Sequence, residues 1–490
     1  MNIDEQLLNC FNTLLSEVIG VHYSNARKNQ LISDLPKITQ SFGFASPEDC
    51  VNSLCAHQLS KSEIDRLVKY VTIGETYFFR DQLFFEELRQ TILPPYINKR
   101  AKSDKRLRIL SAGCSSGEEA YSVAMLLCEL IPDIKDWNIV VVGIDINSKL
   151  IAKAREGKYT KWSFRQVPEN IIVKYFDQEN GVYTLHDSVR NLVSFVSLNV
   201  LTDSFPSILN NTTAFDLILC RNMIMYFKQS TIDLVIDKIT KALLAGGYFF
   251  VTGSEIALVN HDRLQKVCTD GLYYFVKKDI TQSRLQRADI LVPKRKRRVN
   301  SASGLGKRIQ AKGNKHIPVS TDDLSKDIQF YYENGQYEKA LAVVLEMKTE
   351  KENLFLTYSY EIRIRSSLGQ IDEAISLCNE YIKVNRLNAE PYLLKALIAV
   401  EAGNRDDAVS LSDKVIYLEP DWFIGHYLRG NLLLNQLKYE RAAKCFQSAL
   451  KIIEYLPDDN FVSYTDGMTV LQMKELVVVK MNDIQESLNR

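Results

Sequence analysis

What this 490-residue sequence lacks narrows its chemistry before any motif is read. Its nine cysteines (Cys10, Cys50, Cys55, Cys114, Cys128, Cys220, Cys268, Cys378 and Cys445) form no Cys-x-x-Cys pair, and the six histidines add no zinc-ligand spacing. Neither a disulfide framework nor a metal centre is expected, and reduced thiols in a cytosol are the natural reading. No apolar run approaches the 18 or so residues of a membrane span. Asp4 and Glu5 stand where a signal peptide would be basic, so a cytoplasmic protein without membrane insertion is expected. Charge of one sign is also missing overall, with 61 basic against 60 acidic residues. Basic excess is confined to residues 281–318, where eleven Lys or Arg face one Asp. A nucleic-acid enzyme would want such a stripe beside its pocket, so nucleic acid is not an expected partner.

What is present centres on Arg106 to Tyr121, Arg-Leu-Arg-Ile-Leu-Ser-Ala-Gly-Cys-Ser-Ser-Gly-Glu-Glu-Ala-Tyr. Leu107, Ile109 and Leu110 suit a buried strand, Gly113 and Gly117 bracket a tight turn, and Val123, Ala124, Leu126, Leu127 and Leu130 recur at helical spacing. Strand, glycine turn and helix open a nucleotide-binding βαβ unit, in which the glycines let backbone approach a ligand. A second apolar strand, Ile139 to Ile144, ends in Asp145, where such folds bind ribose hydroxyls. The fingerprint Gly-x-Gly-x-x-Gly is absent here, and no Gly-Lys-Ser/Thr follows to hold a triphosphate. Glu118 and Glu119 occupy the loop instead. An acidic loop suits a cationic nucleoside without phosphates, which points to S-adenosylmethionine, with another α/β enzyme's turn as the alternative.

Along the chain, residues 1–75 read as a helical domain. Ile3, Leu7, Leu8, Phe11, Leu14, Leu15, Val18 and Ile19 make one apolar stripe, and Ser60 with Glu63 makes a capping box. Arg27 and Lys28 read as a solvated face, with an acidic partner as the alternative. The aromatic segment Thr72–Asp81 carries Arg80, which as a purely structural wedge would pair with Asp81 or Glu86. Alternating strands and helices from 107 to 278 predict a mainly parallel sheet. Gly181–Leu185 and Leu192–Val196 are expected in a small antiparallel insert spanning about 160–196. Residues 279–320, with the run Lys294–Arg298, read as a basic flexible linker, with an anionic membrane surface or acidic protein as its alternative partner. Beyond it Ala340, Ala374, Ala408 and Ala442 fall 34 residues apart, Gly335, Gly369 and Gly403 keep the same step, and Leu437 stands at the fourth glycine position. That period predicts four tetratricopeptide helix-turn-helix units over 321–490, closed by a capping helix near 468–488. Such repeats bind proteins or peptides, so this half is expected to be an adaptor.

Taken together, the first 280 residues resemble CheR-type chemotaxis receptor methyltransferases. The matching stretches are Glu75-Thr-Tyr-Phe-Phe-Arg-Asp81, Ser111–Tyr121, Gly143-Ile-Asp-Ile-Asn147, Cys220-Arg-Asn222 with Tyr226-Phe227, and Gly246–Glu255. The resemblance implies an α/β Rossmann-like S-adenosylmethionine-dependent methyltransferase domain (76–278), preceded by a helical domain and bearing the β insert. Members with C-terminal tetratricopeptide repeats also occur, which agrees with an all-α solenoid after the linker. The implied reaction is methyl esterification of glutamates on the cytoplasmic domain of methyl-accepting receptors. A further partner is expected on the repeats.

By position, the resemblance assigns Thr76, Arg80, Gly113, Glu118, Asp145, Asn199, Val200, Arg221 and Asn222 to the cofactor, and Arg80 and Tyr226 to the reacting region. Many members have Asn where this chain has Gly74, implying one fewer side-chain contact. The turn at Asp177–Gly181 looks short for the insert loop that grips a receptor's tail in some members, so no such tether is expected. A non-catalytic repeat scaffold with a cofactor-sensing domain is the competing class.

Overall fold

The structure is a computed structural model and describes residues 4–269, 272–279, 321–349, 354–462, 464 and 468–488. Apart from Asp279, the predicted linker lies outside the described residues.

Four helices open the chain, Glu5–Val18, Lys28–Phe42, Pro47–Cys55 and Lys61–Val71. The first turns Leu8, Phe11 and Leu15 of its apolar stripe inward. Ser60 and Glu63 form the predicted capping box: the Ser60 hydroxyl accepts the Glu63 N–H, and the Glu63 carboxylate accepts the Ser60 N–H at 2.8 Å. Two donors that the helix itself leaves orphaned are thereby satisfied.

Ten strands follow: β1 (Arg106–Ala112), β2 (Asn138–Asp145), β3 (Lys158–Thr160), β4 (Phe176–Glu179), β5 (Val182–Leu185), β6 (Val193–Ser197), β7 (Phe215–Leu219), β8 (Leu243–Phe250), β9 (Leu264–Thr269) and β10 (Leu272–Lys277). The main sheet runs β6-β2-β1-β7-β8-β10-β9. Its strands are parallel from β6 to β8, whereas β10 lies antiparallel to β8 and β9. The strand order reverses between β1 and β7, which opens a crevice at the carboxyl ends of those strands.

One expectation fails here. Residues Leu192–Val196, assigned to the insert, instead contribute β6, which pairs in parallel with β2. The insert sheet is only β3-β5-β4, all antiparallel. A five-residue run alternating Val193 and Phe195 inward is equally suited to either sheet. The crossover helix Ser148–Glu156 and the edge of β2 decide it, and neither is visible in the run itself.

The C-terminal half is helical. Four antiparallel pairs, beginning with Thr321–Glu333 and ending with Tyr439–Ile453, precede a last helix, Val470–Leu488. Ala340, Ala374, Ala408 and Ala442 are fully buried where the helices of each pair cross. Gly335, Gly369 and Gly403 adopt positive φ (62°, 75° and 72°), and Leu437 adopts the same conformation at 58°. Only glycine takes this conformation without strain.

This half is tightly docked on the methyltransferase sheet at the amino ends of its strands. Arg106 donates from Nη1 to the Gly369 carbonyl at 3.0 Å. Arg108 is fully buried and donates to the carbonyls of Glu401 (2.5 Å), Thr213 (3.3 Å) and Asn211 (3.1 Å), and to Asn211 Oδ1 (2.8 Å). The Glu401 carboxylate in turn accepts the hydroxyls of Thr213 and Ser366. Arg405 reaches the Val193 carbonyl at 3.1 Å. Ile208 and Leu209, in the segment between β6 and β7, belong to the same buried cluster as Leu393, Leu397, Tyr427 and Leu428 of the helical half. The last helix packs on Lys61–Val71 and Ser148–Glu156.

Candidate active site

β1 ends at Ala112 and the chain turns sharply through Gly113 (φ +75°) and Gly117 (φ +91°). A Cβ on Gly113 would lie 3.1 Å from Met223 Sδ, and one on Gly117 would lie 2.9 Å from Ala154 Cβ and the Phe195 ring. Both positions therefore need glycine for space as well as for φ. Asp145 closes β2, and its carboxylate accepts the N–H groups of Ser115 and Asn147, each at 2.8 Å. Burial pushes its pKa up while those amides hold it down. The acidic residue and the glycine turn are thus locked together at the crevice.

Thr76, Arg80, Gly113, Asp145, Asn199, Val200, Arg221, Asn222 and Tyr226 all line one cleft at this switch point. Counting its open mouth, the empty space there is about 1250 Å³. The Asn199 side chain is already engaged, donating to the Val18 carbonyl at 2.7 Å and accepting the Leu201 N–H at 3.0 Å. What it offers a ligand is backbone. Arg221 is likewise held, bonded to Asp81 (2.8 Å), Glu119 (3.3 Å) and the Arg80 carbonyl (3.2 Å), with Phe84 beneath its guanidinium at 4.1 Å. Arg221 therefore clamps the Arg80 segment onto the cleft. Asp81 pairs with Arg221, and Arg80 itself donates to the Glu75 carbonyl at 2.8 Å. Tyr226 is presented by a loop whose Asn222 and Met225 N–H groups bond the buried Glu255 carboxylate at 3.0 and 3.2 Å.

Glu118 is the correction. It is buried away from the cleft, where its carboxylate accepts the hydroxyls of Ser116 (2.7 Å) and Ser163 (3.0 Å). Burial raises its pKa, opposed by those bonds. Glu119 lines the cleft instead, holding Ser111 Oγ at 2.7 Å as well as Arg221. Consecutive helical residues point about 100° apart, and a Glu-Glu pair says nothing about which one faces the ligand.

Arg27 and Leu150 line the cleft without being among the expected site residues. Arg27 enters the cleft from the N-terminal helices, its guanidinium 4.8 Å from the Tyr226 ring centroid and 5.3 Å from that of Tyr23. Its Nη2 is buried without a hydrogen-bond partner. Leu150 fills the space beside Gly74, where a Cβ would meet Leu150 Cδ1 at 2.8 Å. A larger residue at 74 would require Leu150 to move.

The donor set fits S-adenosylmethionine. Carboxylates of Glu75, Glu119 and Asp145 and guanidiniums of Arg27, Arg80 and Arg221 share the lining. That balance suits a ligand bearing a sulfonium, an ammonium and a carboxylate. Asp145 would hold the ribose, the Gly113 turn would admit the ligand closely, and Asn199, Val200 and Asn222 would flank the adenine.

Comparison with known proteins agrees. The family described as "CheR methyltransferase, SAM binding domain" matches residues 74–272. "Chemotaxis protein methyltransferase 1" of Pseudomonas aeruginosa is 30% identical over 274 residues, covering 54% of this chain and 96% of that protein. A "Chemotaxis protein methyltransferase" of Campylobacter jejuni is 32% identical over 251 residues, 51% of this chain and 88% of that one. The protein of the same description from Borreliella burgdorferi is 28% identical, covering 52% and 89% respectively. With the glycine turn, Asp145 and the arginine-lined cleft in place, the chain belongs to the CheR family of S-adenosylmethionine-dependent methyltransferases.

Proposed function

We propose that the chain methylates glutamate side chains on the cytoplasmic domain of methyl-accepting receptors, with Arg80, Tyr226 and Arg27 governing the reacting carboxylate. S-adenosylmethionine supplies an electrophilic methyl group on sulfur. A glutamate, with a pKa near 4.3, is already almost wholly carboxylate at neutral pH, so no general base is required. Among the described residues no histidine lines the cleft, in keeping with that economy. The chain's task is alignment and exclusion of water. Arg80, which among the described residues donates one side-chain hydrogen bond, to the Glu75 carbonyl, and lies over the Tyr77 ring, keeps donors free to orient the incoming carboxylate without quenching it. Phe79, Phe84 and Phe85 pack edge to face behind it and wall off solvent. Arg27, half-buried beside Tyr226, offers a second unpartnered donor. The observation that carries this reading is the meeting of Arg27, Arg80 and Tyr226 in the same cleft as the Asp145 turn. Its test is transfer of labelled methyl from S-adenosylmethionine to membranes holding candidate receptors, scored as base-labile ester. Cofactor binding without any ester would leave the scaffold reading standing.

The 34-residue units are best read as tetratricopeptide repeats, supported by the buried alanines and left-handed turn residues at matching positions. Much of their inner surface contacts the chain itself, so a protein partner would use the exposed remainder, such as Tyr417 and Tyr455. The β4–β5 connection is the two-residue turn Asn180-Gly181, which favours recognition without a receptor-tail tether.

A further inference from the structure

A second cavity lies in the seam between the methyltransferase sheet and the first helices of the third and fourth helical units. Arg155, Arg405 and Lys480 line it, and among the described residues no aspartate or glutamate does. A smaller pocket continues it past Arg155 to Arg190, again without a lining carboxylate. Lys480 is 4% exposed and, among the described residues, has no hydrogen-bond partner; the Tyr427 ring lies 5.9 Å from its ammonium. Arg155 is 8% exposed and spends Nη2 on the Phe195 carbonyl at 2.8 Å, while its Nε is unpartnered. Asn191, Asn210, Asn431 and Asn435 add neutral donors, and Ser194 Oγ also lacks a partner.

Buried cations without a countercharge are strongly unfavourable. Asp483, whose charge both Arg155 and Lys480 feel, is not among the lining residues. Its own pKa is pushed up to about 6, by burial first and then by Asp65. The lining itself thus presents two guanidiniums and the Lys480 amine, with Asp483 answering them only from outside the cavity. Guanidinium and amide donors lining one cavity with the Lys480 amine, Arg405 spending Nη2 on the Val193 carbonyl, match the several oxygens of a phosphate group. We propose that this seam binds a small phosphate-bearing anion, held by Arg155, Arg405 and Lys480.

Such a ligand is placed to be felt in the cleft. Asn210 and Asn211 of the cavity wall lie on the segment that begins with Asn199 and Val200 of the cofactor site. Phe195, also on the wall, packs against Gly117 and Gly143. The seam is therefore a candidate regulatory site whose occupancy acts on the cofactor loop.

The test is calorimetric titration of the full chain, saturated with S-adenosylhomocysteine to close the cleft, using inorganic pyrophosphate and, separately, adenosine triphosphate. Saturable binding of either probe is expected, weakened about tenfold or more by Lys480→Met and by Arg155→Gln. Binding of pyrophosphate means the phosphates suffice; binding of the nucleotide alone means its body adds needed contact. Both outcomes support the site. A parallel measurement independent of the variants is the unfolding temperature of the unaltered protein, which the bound probe should raise above that in sodium chloride of equal ionic strength. No saturable binding of either probe at millimolar concentration, or binding that persists unchanged in both variants, overturns it.

Discussion

The two ends of the parallel strands have been put to opposite uses. At the carboxyl ends, β1, β2 and β7 finish in tight turns and short polar residues, and charged side chains there remain partly unpaired and face an open cleft. At the amino ends, Arg106 and Arg108 are buried, and each sends a bond to a backbone carbonyl of the helical half, Arg108 also holding Asn211 and Thr213 beside the sheet. Charge that faces an open cleft marks the site of chemistry, and charge buried against backbone carbonyls of the other half marks an interface. The same residue type, arginine, does both within one sheet.

Substitutions should separate the two ends. The largest effect is expected for Arg80→Ala, which should cut methyl transfer about 100-fold or more through lost alignment, with little change in S-adenosylmethionine affinity. Single-turnover rates beside calorimetry decide it, and equal losses in both would remove the positioning role. At the other end, Arg108→Ala leaves the carbonyls of Asn211, Thr213 and Glu401 without their donor. A loss of about 3 kcal/mol in denaturant unfolding is expected, with kcat little altered. Should kcat fall while stability holds, the contrast between the ends would be wrong. Arg27→Ala should raise KM for the protein substrate about tenfold and leave cofactor affinity alone, since its donor faces the reacting carboxylate; a shift in cofactor affinity instead would reassign it.

The smallest effect concerns pH. Burial first, then the Arg155 charge, pushes Lys480 from its ordinary 10.5 down to about 7, partly offset by Asp483 and Asp203 and reinforced by Lys61. Across that window the unfolded chain binds a proton that the folded chain does not, so stability rises with pH. Lys480→Met should flatten the rise in unfolding temperature between about pH 7 and about pH 9. An unchanged slope would place the titration elsewhere.

How much of this was legible in the sequence follows from how local each signal is. The strand, glycine turn and helix of β1 announce themselves within sixteen residues, Arg106 to Tyr121, because φ and close approach both demand glycine there. The 34-residue spacing of alanines was equally plain. The rest depends on distant partners. Arg108 reads as an anomaly in an apolar strand until Glu401, 293 residues away, arrives to meet it. Arg27 looked solvated because nothing nearby in sequence hints at Tyr226. β6 was misplaced because its neighbour, not its composition, assigns its sheet. Glu118 and Glu119 are adjacent, and only the roughly 100° between consecutive helical residues parts them.

The left-handed turns carry one more consequence. Gly335 abuts Lys241 just before β8, Gly369 meets Leu244 of β8 and Arg106 of β1, Gly403 meets Asn138 and Val140 of β2, and Leu437 lies in a pocket with Val193 and Phe195 of β6. Successive units step across the width of the sheet in its own strand order. An array of this sort cannot gain or lose a member, as free-standing repeat arrays do, without every later turn falling opposite the wrong strand. The four turns span the sheet from β8 to its β6 edge.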